Sequence, residues 1–582
     1  MDSDTLQIND IGDVEEIEKI PLETRLKEQT AYDIIEAAAQ KWPDRHALTF
    51  LPYGSPLDEP TIFTYQQLFD LIKKTTNLLV ASGVKTGEVI SYILPNIPEN
   101  YFLFLSAQII GIANPVSFRL PPEQIADLLR EAGSEILITT GSKTTPDLWE
   151  KILTVRNLYP EIKKIIVLED VTDPEQNIYN FYELLSAQPS SFLFQKEKIK
   201  SKAICSYFHT SGTMGPPKLV QHTHQGIVYI AWAAGIFAQY GRANSIALSG
   251  LPMFHVAAPI VEALSAFFYG ASVIVMSPLG WSDPLVIPHF WKIVEKYRGT
   301  SMIAVPPIYK ALLKIPLNGE DISSLYSAIS GNVAISEEDF SQFKEITGVS
   351  IATLWGQTEA IVGCFNFFSS PSSKNFGSAG IRLPYEQVKI VTLDKSGNIL
   401  RDCLPMEAGL LCIKGPNVRG YTLLELNETA FFPSGWFNTG DWAYQNSEGY
   451  IWILGRQADF IPYEGKYISL LEIETTLHQH PKIKTAAAIS ILDEGLDKIL
   501  RIYVVLHERT HMTADEVNQY INNSLREKYG VINIDIEFYN KLPLNGMGKV
   551  LKYLLKEEIQ RKKDKLGQEL ECLKSRELLE AS

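Results

Sequence analysis

The sequence predicts an α/β protein: a large N-terminal domain of layered sheets and helices with a β-rich subdomain, then a small α+β C-terminal domain. Three observations carry that prediction. The chain has 582 residues, more than one hydrophobic core fills. Helical periodicity alternates with short β-rich runs through its first two thirds, the pattern of largely parallel sheets covered by helices. The texture then changes twice, beyond Glu386 and after Gly455-Arg456.

The elements follow in order. Residues 1–25 read as a loose acidic leader. Helical patterns at Tyr32–Lys41 and Tyr65–Ser82 alternate with strand-like Val89–Leu94, Ile136–Thr139, Ile165–Leu168, Ser272–Met276 and Ser301–Val305. Beyond Glu386 come closely spaced strands (Val388–Leu393, Gly409–Lys414, Gly449–Leu454), which predict a β-rich subdomain closing a large domain of residues 26–455. Residues 461–565 carry strands at Thr485–Ile491, Leu500–Val505 and Ile534–Tyr539 and a helix at Ala514–Lys528, a small α+β unit, and 566–582 form a charged tail.

Composition excludes several classes. A net charge of −15 argues against a general nucleic-acid or acidic-membrane binder, either of which needs a broadly basic face. Five scattered cysteines without a CxxC pair support neither a disulfide framework nor a zinc site and suit a reducing, cytoplasmic setting. The N-terminus lacks a basic region followed by an apolar run. The longest apolar stretch, Gly226–Tyr240, falls short of the ~20 residues that a spanning helix needs and reads as a buried helix.

The strongest chemical signal is Phe208-His209-Thr210-Ser211-Gly212-Thr213-Met214-Gly215-Pro216-Pro217-Lys218, placed between a strand and a long helix. Glycines let successive N–H groups turn towards an anion, hydroxyls add donors, and lysine adds a point charge for phosphate. It is not a Walker A loop, which needs GxxxxGK followed by Ser or Thr. His222 and His224 stand two apart beside it, with no third metal ligand evident.

Four further segments follow in register: Leu354-Trp355-Gly356-Gln357-Thr358-Glu359, Phe437-Asn438-Thr439-Gly440-Asp441, Gly455-Arg456-Gln457-Ala458-Asp459 and Leu542-Pro543-Leu544-Asn545-Gly546-Met547-Gly548-Lys549. Together with the loop they make the chain resemble the acyl-CoA synthetase, or adenylate-forming, superfamily from about residue 30 to 560, closest in pattern to fatty acyl-CoA ligases. Weaker similarities lie at Leu94-Pro95-Asn96 and Leu251-Pro252-Met253-Phe254-His255.

The resemblance implies ATP, Mg²⁺ and coenzyme A as cofactors and co-substrates, and a site made of named parts. Thr210, Ser211, Gly212, Thr213, Gly215 and Lys218 would grip the phosphates, Thr210 with a part in catalysis. Adenine would stack on Trp355 beside Gly356, with Thr358 on phosphate and Glu359 as the metal ligand and a catalytic group. Asp441 would accept from the ribose hydroxyls, with Arg456 adding donors nearby. Lys549 would draw the carboxylate and the α-phosphate together, a catalytic task, since a cation there stabilises two converging anions most in the transition state. His255, Val256, Pro307, Gly331, Asn332 and Gln357 would line the acid's pocket, and Gly465 the coenzyme A face. The C-terminal domain would be mobile, swinging about a hinge at 456–460 between adenylation and thioester formation.

The chain departs from the family where the swing is made. Ala458 replaces a polar or charged pivot, Pro462 a common lysine, Tyr467 an arginine or glutamine, and Met214 a hydroxyl residue of the loop. The pocket segments are apolar with small residues, which points to a medium- or long-chain fatty acid, an aryl acid staying open. Two other readings stay open: transfer to a carrier-protein phosphopantetheine, and a degenerate synthetase that binds nucleotide or acyl ligand without turnover. A small-molecule acid, ATP and coenzyme A are the expected partners, without nucleic acid or a transmembrane segment, and a homodimer is an open expectation.

Overall fold

Short runs such as Ile136–Thr139 and Ser272–Val275 are apolar or small at almost every position, so both faces of their sheets must be covered. A computed structural model shows how. It describes residues 6–191, 199–210, 216–331, 335–366, 373–394, 396–463, 466–492, 498–532, 534–543, 550–559 and 561. The described residues divide into two compact units, one formed mainly by residues before Leu454 and the other by Leu454 onward with Gly440–Trp442.

The first unit holds two large sheets. In one, Ile351–Trp355, Ser327–Ser330, Ser301–Ala304, Ile246–Ser249, Ser272–Val275 and His46–Phe50 lie side by side in parallel, and antiparallel strands finish both edges. In the other, Ile178–Asn180, Lys164–Val167, Ile136–Thr139, Val89–Ile93, Ile112–Pro115 and Ile204–His209 run parallel, and Leu219–Thr223 returns antiparallel at the edge. One continuous core joins an inner face of each sheet, through Tyr92 and Ile138 on one and Val273 and Ile303 on the other. The helix His224–Ala238 lies in this core; it is apolar on every side and almost wholly buried, as the sequence predicts for this stretch. Separate clusters cover the outer faces. The β-rich part is a five-stranded sheet in the order Ile399–Asp402, Gln387–Leu393, Gly409–Lys414, Phe437–Gln445, Ile451–Arg456.

The N-terminal segment is not loose. From residue 6 it folds onto the first unit: helix Ile11–Glu18 is capped by Asp10, and Ile8, Val14, Ile17, Leu22 and Leu26 enter the main core. The Glu18 carboxylate grips the Arg382 guanidinium with both oxygens, and the Tyr385 hydroxyl donates to the Ile17 carbonyl at 3.0 Å. Of the acidic residues described there, Glu15 and Glu16 face outward, while Asp10 caps the helix and Glu18 holds Arg382.

In the second unit, Ile483–Leu492, Lys498–Leu506 and Ile534–Phe538 form a three-stranded sheet backed by helices Leu470–His478 and Ala514–Tyr529. The longer helix begins with a full capping box, Thr513 and Glu516 bonding each other's backbone. A short hairpin, Phe460–Tyr463 with Lys466–Ser469, precedes them. No helix among the described residues is long and apolar enough to cross a membrane. The tail 566–582 lies outside the described residues.

Candidate active site

The serine- and glycine-rich loop connects two antiparallel strands of one hairpin, Ile204–His209 and Leu219–Thr223, rather than a strand and a helix as its sequence suggests; the helix starts only at His224. Thr210 closes the hairpin: its N–H donates to the Lys218 carbonyl at 2.9 Å, and its hydroxyl accepts the Lys218 N–H at 3.1 Å. The Thr210 hydroxyl is thus a structural acceptor at the mouth of the loop. His209 is buried as a neutral ring, its pKa pushed down by burial. Its Nε2 accepts from the Ser117 N–H at 3.2 Å, so Nδ1 carries the proton and donates to the Thr210 carbonyl at 3.1 Å. Ser211, Gly212, Thr213, Met214 and Gly215 lie outside the described residues.

The Trp355–Glu359 segment leaves the carboxyl end of the parallel strand Ile351–Trp355 and turns back at once into Cys364–Asn366. Two glycines make this return. A Cβ on Gly356 would lie 2.0 Å from the Ile361 carbonyl oxygen, and one on Gly363 would lie 2.6 Å from the Trp355 ring. Ile361 sits at φ 54°, a left-handed conformation that costs a β-branched residue energy and persists only where its surroundings enforce it. The enforcing group is the buried Asn417, whose side-chain amide donates to the carbonyls of Ala360 and Val362. Gln357 does not line a pocket by its amide alone; its Nε2 donates to the Thr439 carbonyl at 3.3 Å.

Glu359 and Thr358 are both buried. The Glu359 carboxylate accepts a 2.6 Å hydrogen bond from the Tyr421 hydroxyl, and the Lys218 ammonium lies 5.4 Å from the centre of the same tyrosine ring. The fold therefore gathers the loop's lysine and the acidic residue around one aromatic side chain. Among the described residues no three metal-ligating side chains cluster. One buried carboxylate beside a cation fits Mg²⁺, which takes one or two protein carboxylates and fills its shell with phosphate oxygens and water.

In the second unit Asp441 is buried, and the Arg456 Nη1 stands 3.3 Å from its Oδ1 with the guanidinium half-exposed. Ala458 is exposed on the single turn Gln457–Asp459. Its neighbour Asp459 pairs with Lys552 at 3.2 Å, and Lys552 also reaches Glu474 at 2.9 Å. Tyr467 is exposed and packs its ring 4.6 Å from that of Trp442. Gly465 and Lys549 lie outside the described residues.

The segments expected to hold the acid leave the carboxyl ends of neighbouring parallel strands: 250–256 after Ile246–Ser249, 305–307 after Ser301–Ala304, 331 after Ser327–Ser330 and 356–359 after Ile351–Trp355. That is where open parallel sheets bind ligands. His255 and Pro307 reach solvent, Gly331 is half-buried, and Val256 is packed into the core. Asn332 lies outside the described residues. His222 and His224 are buried with three of their four ring nitrogens lacking a described partner, and no metal-ligating group joins them among the described residues.

Sequence reasoning missed Tyr421 and Asn417. Their only local signal is Gly415-Pro416-Asn417 after the strand Gly409–Lys414, a turn composition without chemistry of its own.

Comparison with known proteins identifies the family of the chain. A profile of AMP-binding enzymes matches residues 35–422, and one of the AMP-binding enzyme C-terminal domain matches residues 472–549. The marinolic acid–CoA ligase of a Pseudoalteromonas species is 30% identical over 562 residues, spanning 96% of this chain and 85% of that protein. The crotonobetaine/carnitine–CoA ligase of Citrobacter koseri is 27% identical over 510 residues, 85% of this chain and 93% of its own. Among solved structures, ATP-bound MatB from Rhodopseudomonas palustris superposes with a TM-score of 0.70 at 21% identity, covering 91% of this chain and 99% of that one. The Bacillus subtilis o-succinylbenzoate coenzyme A synthetase with ATP and magnesium gives 0.68 at 24% identity over 90% and 99%. At those identities the two structures establish a common fold. With a family profile spanning most of its length and a full-length relative at 30% identity, the chain belongs to the AMP-binding enzyme family.

Proposed function

We propose that the protein is an ATP-dependent acid–thiol ligase of the acyl-CoA synthetase type. In the first step a carboxylate oxygen attacks the α-phosphorus of ATP, the bond to the β-phosphate oxygen breaks, and pyrophosphate leaves. In the second, a coenzyme A thiol loses its proton and attacks the acyl carbon, and AMP leaves with the electrons of the acyl–oxygen bond. The observation that carries this reading is the convergence of Lys218, Tyr421 and Glu359, a cation and a carboxylate 141 positions apart in the chain that share one tyrosine. Such a pair suits a triphosphate and its metal ion, while Asp441 with Arg456 suits ribose hydroxyls. Family membership and relatives named as CoA ligases support both half-reactions.

The domain roles belong to the same reading: residues 26–455 bind and adenylate, 456–460 form the hinge, and 461–565 supply Lys549 and then the thiol-accepting face. We take the acid to be aliphatic and of medium or long chain, because the segments at the strand ends are apolar and small.

ATP–pyrophosphate exchange across a panel of carboxylic acids, followed by mass detection of coenzyme A thioesters, tests the proposal. Exchange is expected with an aliphatic acid and is lost in Lys549→Ala. Absence of exchange with every acid sinks it. Exchange without a thioester would direct attention to a carrier-protein thiol as the acceptor, or to Ala458 and Tyr467.

A further inference from the structure

The apolar segment that follows His255 carries one group that does not fit a plain hydrocarbon lining. After His255 and Val256 the chain enters a π-helix, Ala257–Leu264, a rare wide turn frequent at functional sites. On it stands Glu262, 1% exposed, between Val261 and Ala263, which both belong to the main core. Its Oε2 accepts from the hydroxyl of Ser249, the last residue of the parallel strand Ile246–Ser249, at 2.8 Å, and the Leu251 backbone amide faces the same carboxyl. Ser249 in turn meets the Tyr101 hydroxyl at 3.1 Å. The other oxygen, Oε1, has no hydrogen-bond partner among the described residues. A buried polar oxygen left unpaired costs about 1–3 kcal/mol, so its retention calls for a partner that comes and goes.

The setting supplies that partner's direction. Ser249 ends its strand where the sheet's carboxyl edge opens, the same edge that carries 305–307, 331 and 356–359. Tyr101, Met253, Pro259 and Ala263 line a small apolar cavity beside the same helix. We propose that Glu262 is a specificity-determining residue whose free oxygen hydrogen-bonds an oxygen on the acyl chain, so that the preferred acid is a hydroxylated or oxo-substituted aliphatic acid rather than an unsubstituted fatty acid. Burial raises the Glu262 pKa to about 8, which leaves a neutral carboxylic acid near pH 7 able to donate to a hydroxyl or carbonyl oxygen. The inference rests on the adenylating reading for the place of the pocket and refines its substrate.

Calorimetric binding of acids to the full-length protein tests it independently of turnover. The probes are straight-chain alkanoic acids and their monohydroxy and mono-oxo derivatives, substituted at successive positions. The wild type should bind at least one derivative about tenfold more tightly than its parent acid, the effect of one hydrogen bond to a buried group. Glu262→Leu should erase that preference, whereas Glu262→Gln, a neutral isostere, should keep it and guards against simple misfolding of the leucine variant. Equal binding of parent and derivatives, or no binding of either, overturns the inference. So does loss of the preference in Glu262→Gln, which would mean that an ionised carboxylate, rather than a neutral acid, accepts from the substrate. Failure of pyrophosphate exchange with an acid that nevertheless binds selectively would count against adenylation and leave the role of Glu262 standing.

Discussion

At the level of single residues, the site depends on partners that sequence does not place together. Trp355, Glu359, Asp441 and Arg456 stand out because each lies in a short run whose composition already suggests a task. Tyr421 does not, because its meaning comes from Glu359, 62 positions earlier, and from Lys218. The antiparallel bridge between Val220 and Tyr421 brings that stretch against the hairpin. Tyr421→Phe keeps the ring under Lys218 and removes one donor to a carboxylate, a bond worth about 1.5–3 kcal/mol. The expected result is a Glu359 carboxylate less firmly placed for Mg²⁺: the Mg²⁺ concentration giving half-maximal pyrophosphate exchange should rise about tenfold or more, while the protein's melting temperature changes little. An unchanged Mg²⁺ requirement would show that the hydroxyl does not position Glu359.

At the level of elements, those strands and helices that the sequence analysis names stand almost where it places them, while others, such as Pro98–Ile110 and Val286–Tyr297, are not named there. Ile136–Thr139 and Gly409–Lys414 stand where their β-branched and apolar runs predict, and the helix Ala514–Tyr529 starts at its capping box. Connections were harder to read. The phosphate-loop candidate looks like a strand-to-helix turn because the strand Leu219–Thr223 is short and merges into the apolar helix that follows. Its antiparallel course becomes visible only through pairing with Ile204–His209. The return after Trp355 is similar: nothing local in Gly356–Gly363 announces that Asn417 enforces the left-handed turn at Ile361. Gly363→Ala puts a methyl group into the Trp355 ring and should displace it. If adenine stacks there, the KM for ATP should rise about two- to tenfold while the KM for the acid stays nearly constant, the stacking of one aromatic pair being worth about 0.5–1.5 kcal/mol. Steady-state kinetics with each substrate varied in turn would check this.

For the whole molecule, buried ionisable groups set how stability responds to pH. Burial pushes the pKa of His222 down to about 3, with Arg419 adding to the effect, and burial pushes that of His224 down to about 4. Both rings ionise near ~6.5 in an unfolded chain. Below that value the unfolded chain gains protons that the folded protein refuses, so this contribution is full above pH 6.5 and is lost as pH falls towards 4. At pH 5 the loss is on the order of 2 kcal/mol for each ring. Glu262 acts in the opposite sense: its folded pKa, raised to about 8, exceeds its ordinary 4.5, so its contribution is full below about pH 4.5 and is lost as pH rises towards 8. The buried Glu386, also raised, adds to that alkaline limb. Melting temperature against pH should therefore fall on both sides of a maximum in the mildly acidic range. Glu262→Gln should flatten the alkaline side and leave the acid side unchanged; a melting curve whose alkaline side keeps its slope would contradict the burial argument.

The docking of the N-terminal segment on Arg382 and Tyr385 has a consequence for how the protein is made. Synthesis runs from the N-terminus, so the first helix leaves the ribosome some 360 residues before the arginine it will grip exists. The strand His46–Phe50 likewise waits for Ser272–Val275, its parallel neighbour. Until then Ile8, Val14, Ile17 and Leu22 have no permanent cover, and contacts between segments so distant in sequence close slowly. The acidic residues spread between those apolar ones give the waiting segment a negative charge that keeps it soluble and apart from its copies on neighbouring ribosomes. What looks in the sequence like an unstructured leader cannot take its final place until a partner some 360 residues further along has been made.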